Sequence, residues 1–383
     1  MKITNIKSYL FHPSSEKNWM LQNIQKHWLF VKIETDEGIT GWGESFTLKD
    51  RERSIVQHIS ELTPYLIGRN PNQIKYFTHM IYDKFAERRG GVDLYCAMSG
   101  IEQAFWDILG KRLHSPVYNL LGGPCHEKIR LYANGWSRGA KTPQDFAERA
   151  LEVIQRGFTA IKFYPASFLT CKNERELVKA AVENIRAVRK AVGEDIDILV
   201  DAWRLPEPGQ AIRMAKKLEE FNIFWYEEPV PSENVKVLAE VRQAISMPIV
   251  TGECLYTKFE FREVLEKCAA DILNPDIGSC GGILALKEIA AMAEPYYVKV
   301  SPHNFNSTTI ALAATIQVSA TLPNFLIAEY FVNFEEAGNS ITQNPLKVET
   351  GFISLPTQPG LGLELDEDQL KKHPFQKFPT RGW

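Results

Sequence analysis

The sequence predicts an α/β protein, a (β/α)8-type, TIM-like barrel preceded by an N-terminal α+β unit. Three observations point there. First, three short apolar runs each lead into a carboxylate: Ile198-Leu199-Val200 into Asp201, Phe224-Trp225-Tyr226 into Glu227, and Pro248-Ile249-Val250, through Thr251-Gly252, into Glu253. These carboxylates stand at equal intervals of 26 residues. Second, the period carries on in both directions until eight strand ends are counted. Third, the beginning of the chain follows another pattern, a meander of strands and then helices.

Taken in order, residues 3–11 alternate as a strand and a polar loop covers 12–26. A second strand over 27–35 turns at Asp36-Glu37-Gly38 into a third over 39–44, a hairpin signal. Apolar residues at helical spacing cover 55–65, 74–85 and 95–109. Leu121-Gly122-Gly123-Pro124 is a cluster of breakers and marks a boundary. The expected division is an α+β domain over 1–125, a barrel over 126–350 and a segment over 351–383. That last segment is loop-rich, with Pro356, Pro359 and Pro374.

The barrel series opens at Ile129 to Asn134 and continues through Ala160-Ile161 to Lys162. Lys162 lies 39 residues before Asp201, one unit plus an insertion assigned to the polar stretch 166–175. Continuous apolar runs without alternation suit strands buried on both faces. The segment from Gln210 to Leu218 is apolar at helical spacing, and a strand, a helix and two short loops need roughly 25 residues. After Glu253 come Ile272-Leu273-Asn274-Pro275 to Asp276, Val298 to Pro302 before His303, and Phe325 to Ala328 before Glu329. Eight such units close into a barrel whose polar strand ends form the site. Asp201, Glu227 and Glu253 then sit side by side at one rim. Three unpaired carboxylates at that spacing repel, so a cation belongs between them. Oxygen ligands without accompanying Cys or His favour Mg²⁺.

Several strings carry a resemblance. Lys162 after a strand, Asp201, Trp225-Tyr226-Glu227-Glu228-Pro229, Gly252-Glu253, Asp276 ahead of Gly281-Gly282, and His303 after Ser301-Pro302 resemble the enolase superfamily. His303 with Asp276 one strand earlier resembles its mandelate racemase subgroup. Tyr132-Ala133-Asn134-Gly135-Trp136, Ser301-Pro302-His303-Asn304 and Pro359-Gly360-Leu361-Gly362-Leu363-Glu364 are most similar to acid-sugar dehydratases of the gluconate, galactonate and arabinonate type. The resemblance covers nearly the whole chain. It implies that 1–125 caps the barrel mouth, with loops 14–26 and 45–51 selecting the substrate. It implies a tail after about residue 350 that returns to the cap, and a closing strand drawn from the Ile129 or the Phe325 end. It also implies a homo-oligomer, a dimer or octamer.

The implied chemistry is Mg²⁺-dependent dehydration of an aldonate or aldarate to a 2-keto-3-deoxy acid, with one ion per subunit. A hydrogen beside a carboxylate is too weakly acidic for a side-chain base alone. Its removal becomes feasible when the resulting enediolate is stabilised by a metal. Asp201, Glu227 and Glu253 are the candidate ligands. His303 is the candidate proton carrier, with Asp276 fixing its tautomer and raising its pKa. Lys162 ends an apolar run and needs a partner; it would balance enediolate charge. The resemblance implies Lys-x-Lys here, but the chain has Lys162-Phe163-Tyr164, which counts against two-base racemisation. Tyr164 is expected to be a hydrogen-bonding wall, with weak acid or base chemistry as the other option. Where related dehydratases carry a proton-donating His, this chain has Trp203, which transfers no proton. His303 would then both take the α-proton and return it to the departing 3-hydroxyl, a syn elimination. Glu329 is placed against the substrate, and Asn134, Trp136, Trp203 and Arg204 along its pocket. Glu228 and Pro229 are read as structural.

An epimerase, racemase or cycloisomerase shares the enediolate and differs in its fate. A Schiff-base aldolase on Lys162 needs no metal and leaves the carboxylates unexplained. A silent barrel serving as a binding protein has no use for His303, Asp276 and Lys162 together.

Composition is that of an ordinary soluble globular protein, with 44% hydrophobic and 24% charged residues over 383 positions and a length that favours two structural units. A net charge of −3 and a pI near 6.3 provide no basic field for nucleic acid or an anionic membrane. Apolar runs stop short of the roughly 18 residues of a membrane span, and the N-terminus alternates instead of forming a signal peptide core. Six scattered cysteines without a Cys-x-x-Cys pair read as reduced thiols of a cytoplasmic protein.

Overall fold

A computed structural model describes residues 1–14, 25–167, 171–205 and 207–379. The chain opens with an antiparallel sheet, β1 (Ile3–Phe11), β2 (Trp28–Thr35) and β3 (Thr40–Ser45), in that spatial order. Helices follow: α1 (Glu52–Leu66), α2 (Ile74–Met80), α3 (Val92–Arg112) and the short α4 (Val117–Leu120). The helix expected over 74–85 instead widens into a π turn at Ile81–Phe85. The alternation of β3 explains how α3 can lie directly on the sheet. A Cβ at Gly43 would stand 1.7 Å from the Gly100 carbonyl oxygen, so only glycine admits this approach.

Eight parallel strands come next: β4 (Lys128–Asn134), β5 (Ala160–Phe163), β6 (Asp197–Asp201), β7 (Trp225–Glu227), β8 (Ile249–Thr251), β9 (Ile272–Leu273), β10 (Lys299–Val300) and β11 (Ala328–Phe331). Neighbours pair in sequence order from β4 to β10. Closure comes from both candidate ends at once. The stretch before β11 bridges Val300 to Phe325, and β11 pairs in parallel with β4 from Ala328↔Leu131 to Phe331↔Asn134. The barrel helices are α5 (Pro143–Gln155), α6 (Glu174–Val192), α7 (Pro208–Leu218), α8 (Val235–Ala244), α9 (Lys258–Glu266), α10 (Ile283–Ala293), α11 (Ile310–Ser319) and α12 (Glu335–Ile341). In α7 the buried residues are Ala211, Met214, Ala215 and Leu218, the spacing of one helical face. The long Lys162–Asp201 interval is only partly loop. The helix α6 is 19 residues long and takes up Glu174 and Arg175 as its first turn. Glu174 and Glu176 suit a helix N-terminus, which is why a polar stretch belongs to the helix.

Inside the barrel, Tyr132, Ala160, Leu199, Trp225, Val250, Ile272 and Ile327 form one apolar cluster. Side chains two residues apart share a face of a strand. The next layer towards the C-terminal rim therefore consists of Asn134, Lys162, Asp201, Glu227, Gly252, Asn274 and Glu329.

The tail adds a hairpin, β12 (Val348–Glu349) and β13 (Phe352–Ser354), with β13 antiparallel to the start of β4. A last helix, α13 (Glu367–Lys372), reaches the first sheet. Tyr9 donates to Glu367 at 2.6 Å, Lys32 pairs with Glu367, and the His12 amide donates to the His373 carbonyl at 2.9 Å. The Pro359-to-Glu364 string serves this attachment. Asp107 of α3 accepts from the Leu361 amide at 2.8 Å, and Lys111 pairs with both Asp107 and Glu364. The Gly281-Gly282 pair bares the start of α10, where buried Glu102 of α3 accepts from the Ile283 and Leu284 amides at 2.7 and 2.9 Å. A Cβ at Gly282 would fall 2.0 Å from a Glu102 oxygen. No helix of the described residues is long and apolar enough to cross a membrane.

Candidate active site

The rim layer is charged and almost closed to solvent. Lys162, 1% exposed, donates to Glu227 Oε1 at 2.7 Å and to Glu329 Oε1 at 2.9 Å, and stands 5.2 Å from the Tyr132 ring centre one layer below. Glu227 also accepts from Trp225 Nε1 at 3.0 Å and from Asn274 Nδ2 at 3.2 Å. Glu329 also accepts from Asn134 Nδ2 at 2.8 Å and from the Asn304 amide at 2.9 Å. Its surroundings hold its carboxyl down at about 2: burial opposes ionisation, and the charges of Lys162 and His303 overcome it.

Glu253 arrives differently. Its strand ends at Thr251, Gly252 takes the inward position at φ +141°, and the chain turns to present Glu253 one residue late. Glu228, fully buried, fixes that turn by accepting from Thr251 Oγ1 at 2.8 Å and the Gly252 amide at 2.9 Å. Glu253 then pairs with Arg204 and lies 3.2 Å from His303 Nε2. The other imidazole nitrogen, Nδ1, is 2.7 Å from Asp276 Oδ2, while Asp276 Oδ1 accepts from the Gly278 amide at 2.7 Å. This assigns the Nδ1 proton to the Asp276 bond and turns Nε2 towards the site. Burial disfavours imidazolium, but the charges of Glu253, Glu329 and Asp276 prevail and raise His303 to about 10. Lys162 and His303 both face Glu329: Lys162 Nζ lies 2.9 Å from its Oε1, and His303 Nε2 lies 3.8 Å from its Oε2.

Other predicted residues are spread more widely. Trp203 is 53% exposed at the rim, its amide on Asp201 Oδ1 at 2.8 Å, and Tyr164 packs edge-on against it at 5.8 Å between centroids. Trp203 and Arg204 both have positive φ, 49° and 62°, a turn that sends one side chain outwards and the other back to Glu253. Trp136 is not brought to the opening. Its ring is buried against Phe163, and its indole N–H donates to the Lys162 carbonyl at 2.9 Å. Most of loop 14–26 lies outside the described residues. Four neighbours were not singled out in sequence: Asn274, Lys26, Phe46 and Phe305. Asn274 had a signal, since it follows Ile272 by two residues as Glu227 follows Trp225. Lys26 and Phe46 lie inside the loops 14–26 and 45–51 expected to select the substrate, but nothing in those loops singled them out.

Among the described residues no group of three or more His, Cys, Asp or Glu side chains stands ready-formed as a metal centre. The donor set nonetheless suits a hard divalent cation. Asp201 and Glu227 end adjacent strands in register. Burial and then the Glu253 charge push Asp201 up to about 6, with Lys162 opposing. Burial also pushes Glu227 up to about 8, with Lys162 opposing and Asp201, Glu329 and Glu253 reinforcing. These carboxylates are short of positive charge, and a divalent ion would supply it. The buried oxygen Asn274 Oδ1 has no partner among the described residues, beside Glu227.

Residues 145–369 match the family described as enolase C-terminal domain-like, and residues 18–122 match the mandelate racemase/muconate lactonizing enzyme N-terminal domain. The chain is similar to D-xylonate dehydratase of Haloferax volcanii, 34% identical over 355 residues that cover 90% of this chain and 85% of that protein. It is 33% identical to D-galactonate dehydratase of Variovorax paradoxus over 376 residues, 97% of this chain and 94% of that one. Among solved structures, the mandelate racemase/muconate lactonizing enzyme from Sulfitobacter sp. superposes with a TM-score of 0.89 at 33% identity, over 98% of this chain and 96% of that chain. The mandelate racemase/muconate lactonizing enzyme-like protein from Roseovarius sp. TM1035 does so with a TM-score of 0.90 at 33% identity, over 100% and 98%.

Proposed function

The chain belongs to the mandelate racemase/muconate lactonizing enzyme family of the enolase superfamily and is a hydro-lyase, and from that premise we propose that it converts a sugar acid to its 2-keto-3-deoxy acid. The observation that carries this reading is the His303–Asp276 pair at 2.7 Å, with Nε2 turned towards the carboxylates of the rim. Asp201, Glu227 and Glu253 would hold a divalent cation, Mg²⁺ by the hardness of its ligands. That ion supplies Lewis-acid charge for the substrate carboxylate.

The chain's own residues do the rest. Asp276 keeps the Nδ1 proton of His303 in place; with a cation held at Glu253, the carboxylate charge that raises the imidazole would be offset, leaving Nε2 as the atom that takes the C2 proton. Negative charge then spreads over the enediolate oxygens, and the Lys162 ammonium stands ready to offset it. The electron pair of the enediolate C1–C2 double bond moves to form a C2–C3 double bond and expels the 3-hydroxyl, which leaves as water with the proton returned from Nε2. The enol that remains tautomerises to the 2-keto acid. Trp203 moves no proton, so removal and return occur on the face that His303 occupies, a syn elimination. Tyr164, packed edge-on against Trp203, acts as a wall. The same reading has the enzyme work in the cytoplasm as a homo-oligomer, a state that light scattering would resolve.

The test is a panel of aldonic and aldaric acids with Mg²⁺, scored for 2-keto products by semicarbazide, beside an EDTA control and His303→Asn. A product that vanishes in both controls is the expected result and identifies the acid. Deuterium wash-in at C2 without water loss would replace dehydration by epimerisation or cycloisomerisation. No exchange with any acid would sink the proton-transfer reading.

A further inference from the structure

The cap places one cation beside the His303–Asp276 pair. Lys26 Nζ donates to the Thr47 carbonyl at 2.7 Å and stands 4.5 Å from the ring centre of Phe46 and 4.8 Å from that of Phe305. The two rings belong to different units. Phe46 follows β3 of the cap, and its amide donates to the Gly278 carbonyl of the barrel at 3.0 Å. Phe305 follows His303, and its ring lies parallel to the imidazole, 5° between planes and 6.1 Å between centroids. Phe46 approaches the same imidazole at 6.4 Å.

Burial strips water from the ammonium and lowers Lys26 to about 8, against the attraction of Asp276 and Glu44. A carbonyl and two ring faces replace that water. The backbone on both sides is anchored. Thr47 Oγ1 donates to the His27 carbonyl, and the His27 ring stacks on Phe375 and Phe378 of the tail at 4.7 and 4.6 Å. The space left at Lys26, walled by Glu44, Phe46, Asp276 and Phe305, is about 10 Å³, room for one water and not for a sugar acid.

We propose that Lys26 is a positioning residue: its ammonium draws Phe46 of the cap and Phe305 of the barrel together and so holds the His303 ring in line with Asp276. The kinetic part of this rests on the dehydratase reading above; the structural part does not. With the acid identified by the panel, Lys26→Met should lower kcat about 10- to 100-fold, the scale of a misplaced catalytic group, with KM and the melting midpoint little changed. Lys26→Arg keeps a cation over both rings and should restore most of the loss. Phe305→Leu should reproduce the loss, and the Lys26→Met/Phe305→Leu double variant should be no worse than either single one. If Lys26→Met does not fold, Phe305→Leu carries the same kinetic test. In ¹⁵N-histidine-labelled protein without substrate, the His303 imidazole resonances should broaden or split in Lys26→Met.

A raised KM with intact kcat would instead make Lys26 a substrate-binding group. Losses that multiply in the double variant would rule out action through Phe305, and unchanged kcat with unchanged imidazole resonances would overturn the proposal outright. If the wild-type protein turns over no acid, the dehydratase reading fails and the imidazole resonances alone decide the role of Lys26.

Discussion

The barrel rim and the cap above it are built on different principles. At the rim, Asn134, Lys162, Asp201, Glu227, Asn274 and Glu329 each follow by two residues a member of the inner apolar cluster. One pleat rule, repeated from strand to strand, carries six polar side chains to the same height. The cap is joined by separate polar bolts, each with its own geometry. Glu102 caps α10, and Gln103 donates to the Glu44 and Ile277 carbonyls at 2.9 and 3.2 Å. Glu44 accepts from Ser307, Thr309 and the Ala311 amide at 2.8, 3.0 and 2.8 Å. The rim is therefore one coupled unit, whereas the cap's bolts should fail one at a time.

The largest test of that contrast is Lys162→Met. It strips the ammonium from Glu227 and Glu329 together, and breaking a buried pair in this way costs about 3–5 kcal/mol. Urea unfolding at neutral pH would read the loss, and a value under about 1 kcal/mol would mean that the rim charges are not coupled. Glu102→Gln should cost less, about 1–3 kcal/mol, because one amide oxygen cannot serve the Ile283 and Leu284 amides and the Trp106 indole together. This substitution also has a pH signature. Burial raises Glu102 from 4.5 to about 7, so folding takes up a proton there. Wild-type stability should then fall as pH rises from 4.5 to about 7, and the Gln variant should lack that component of the slope. Melting midpoints of the two proteins across that window would settle it.

Smaller effects belong to the exposed wall. Trp203→Ala should change stability by no more than about 0.5 kcal/mol while raising KM, since the indole is half open to the site mouth. Tyr164→Phe should leave kcat unaltered, as a wall requires; a drop in kcat without a change in KM would give the phenol a share in proton transfer.

The same contrast governs what could be read in advance. Strand ends spaced at 26 residues revealed the parallel units, because each unit solves the same packing problem at the same length. Asn274 was within reach of the pleat rule but ends a run of only two strand residues, too short to display alternation. Trp136 shares the string Tyr132 to Trp136 with Asn134, yet Gly135 turns the chain at φ +77° and sends the indole under β5. The direction of Arg204 depends on two successive left-handed residues that are not glycine, a choice dictated by the Glu228 and Pro229 carbonyls that receive the Arg204 and Leu205 amides at 2.6 and 3.1 Å. Lys26 and Phe46 meet through tertiary closure alone, and no local period records it.

The clasp between tail and first sheet has a consequence for biosynthesis. Residues 367–378, which brace His27 and the edge of β1, leave the ribosome after every barrel strand has been made. Domains can begin to fold while later segments are still being translated. The barrel and its rim of charges can thus assemble first, while the seat of Lys26 waits for the tail. The rim of charges would be assembled before the cap is fastened to the tail, and a nascent chain held with residues from 367 onward still inside the ribosome would display a barrel without a secured cap.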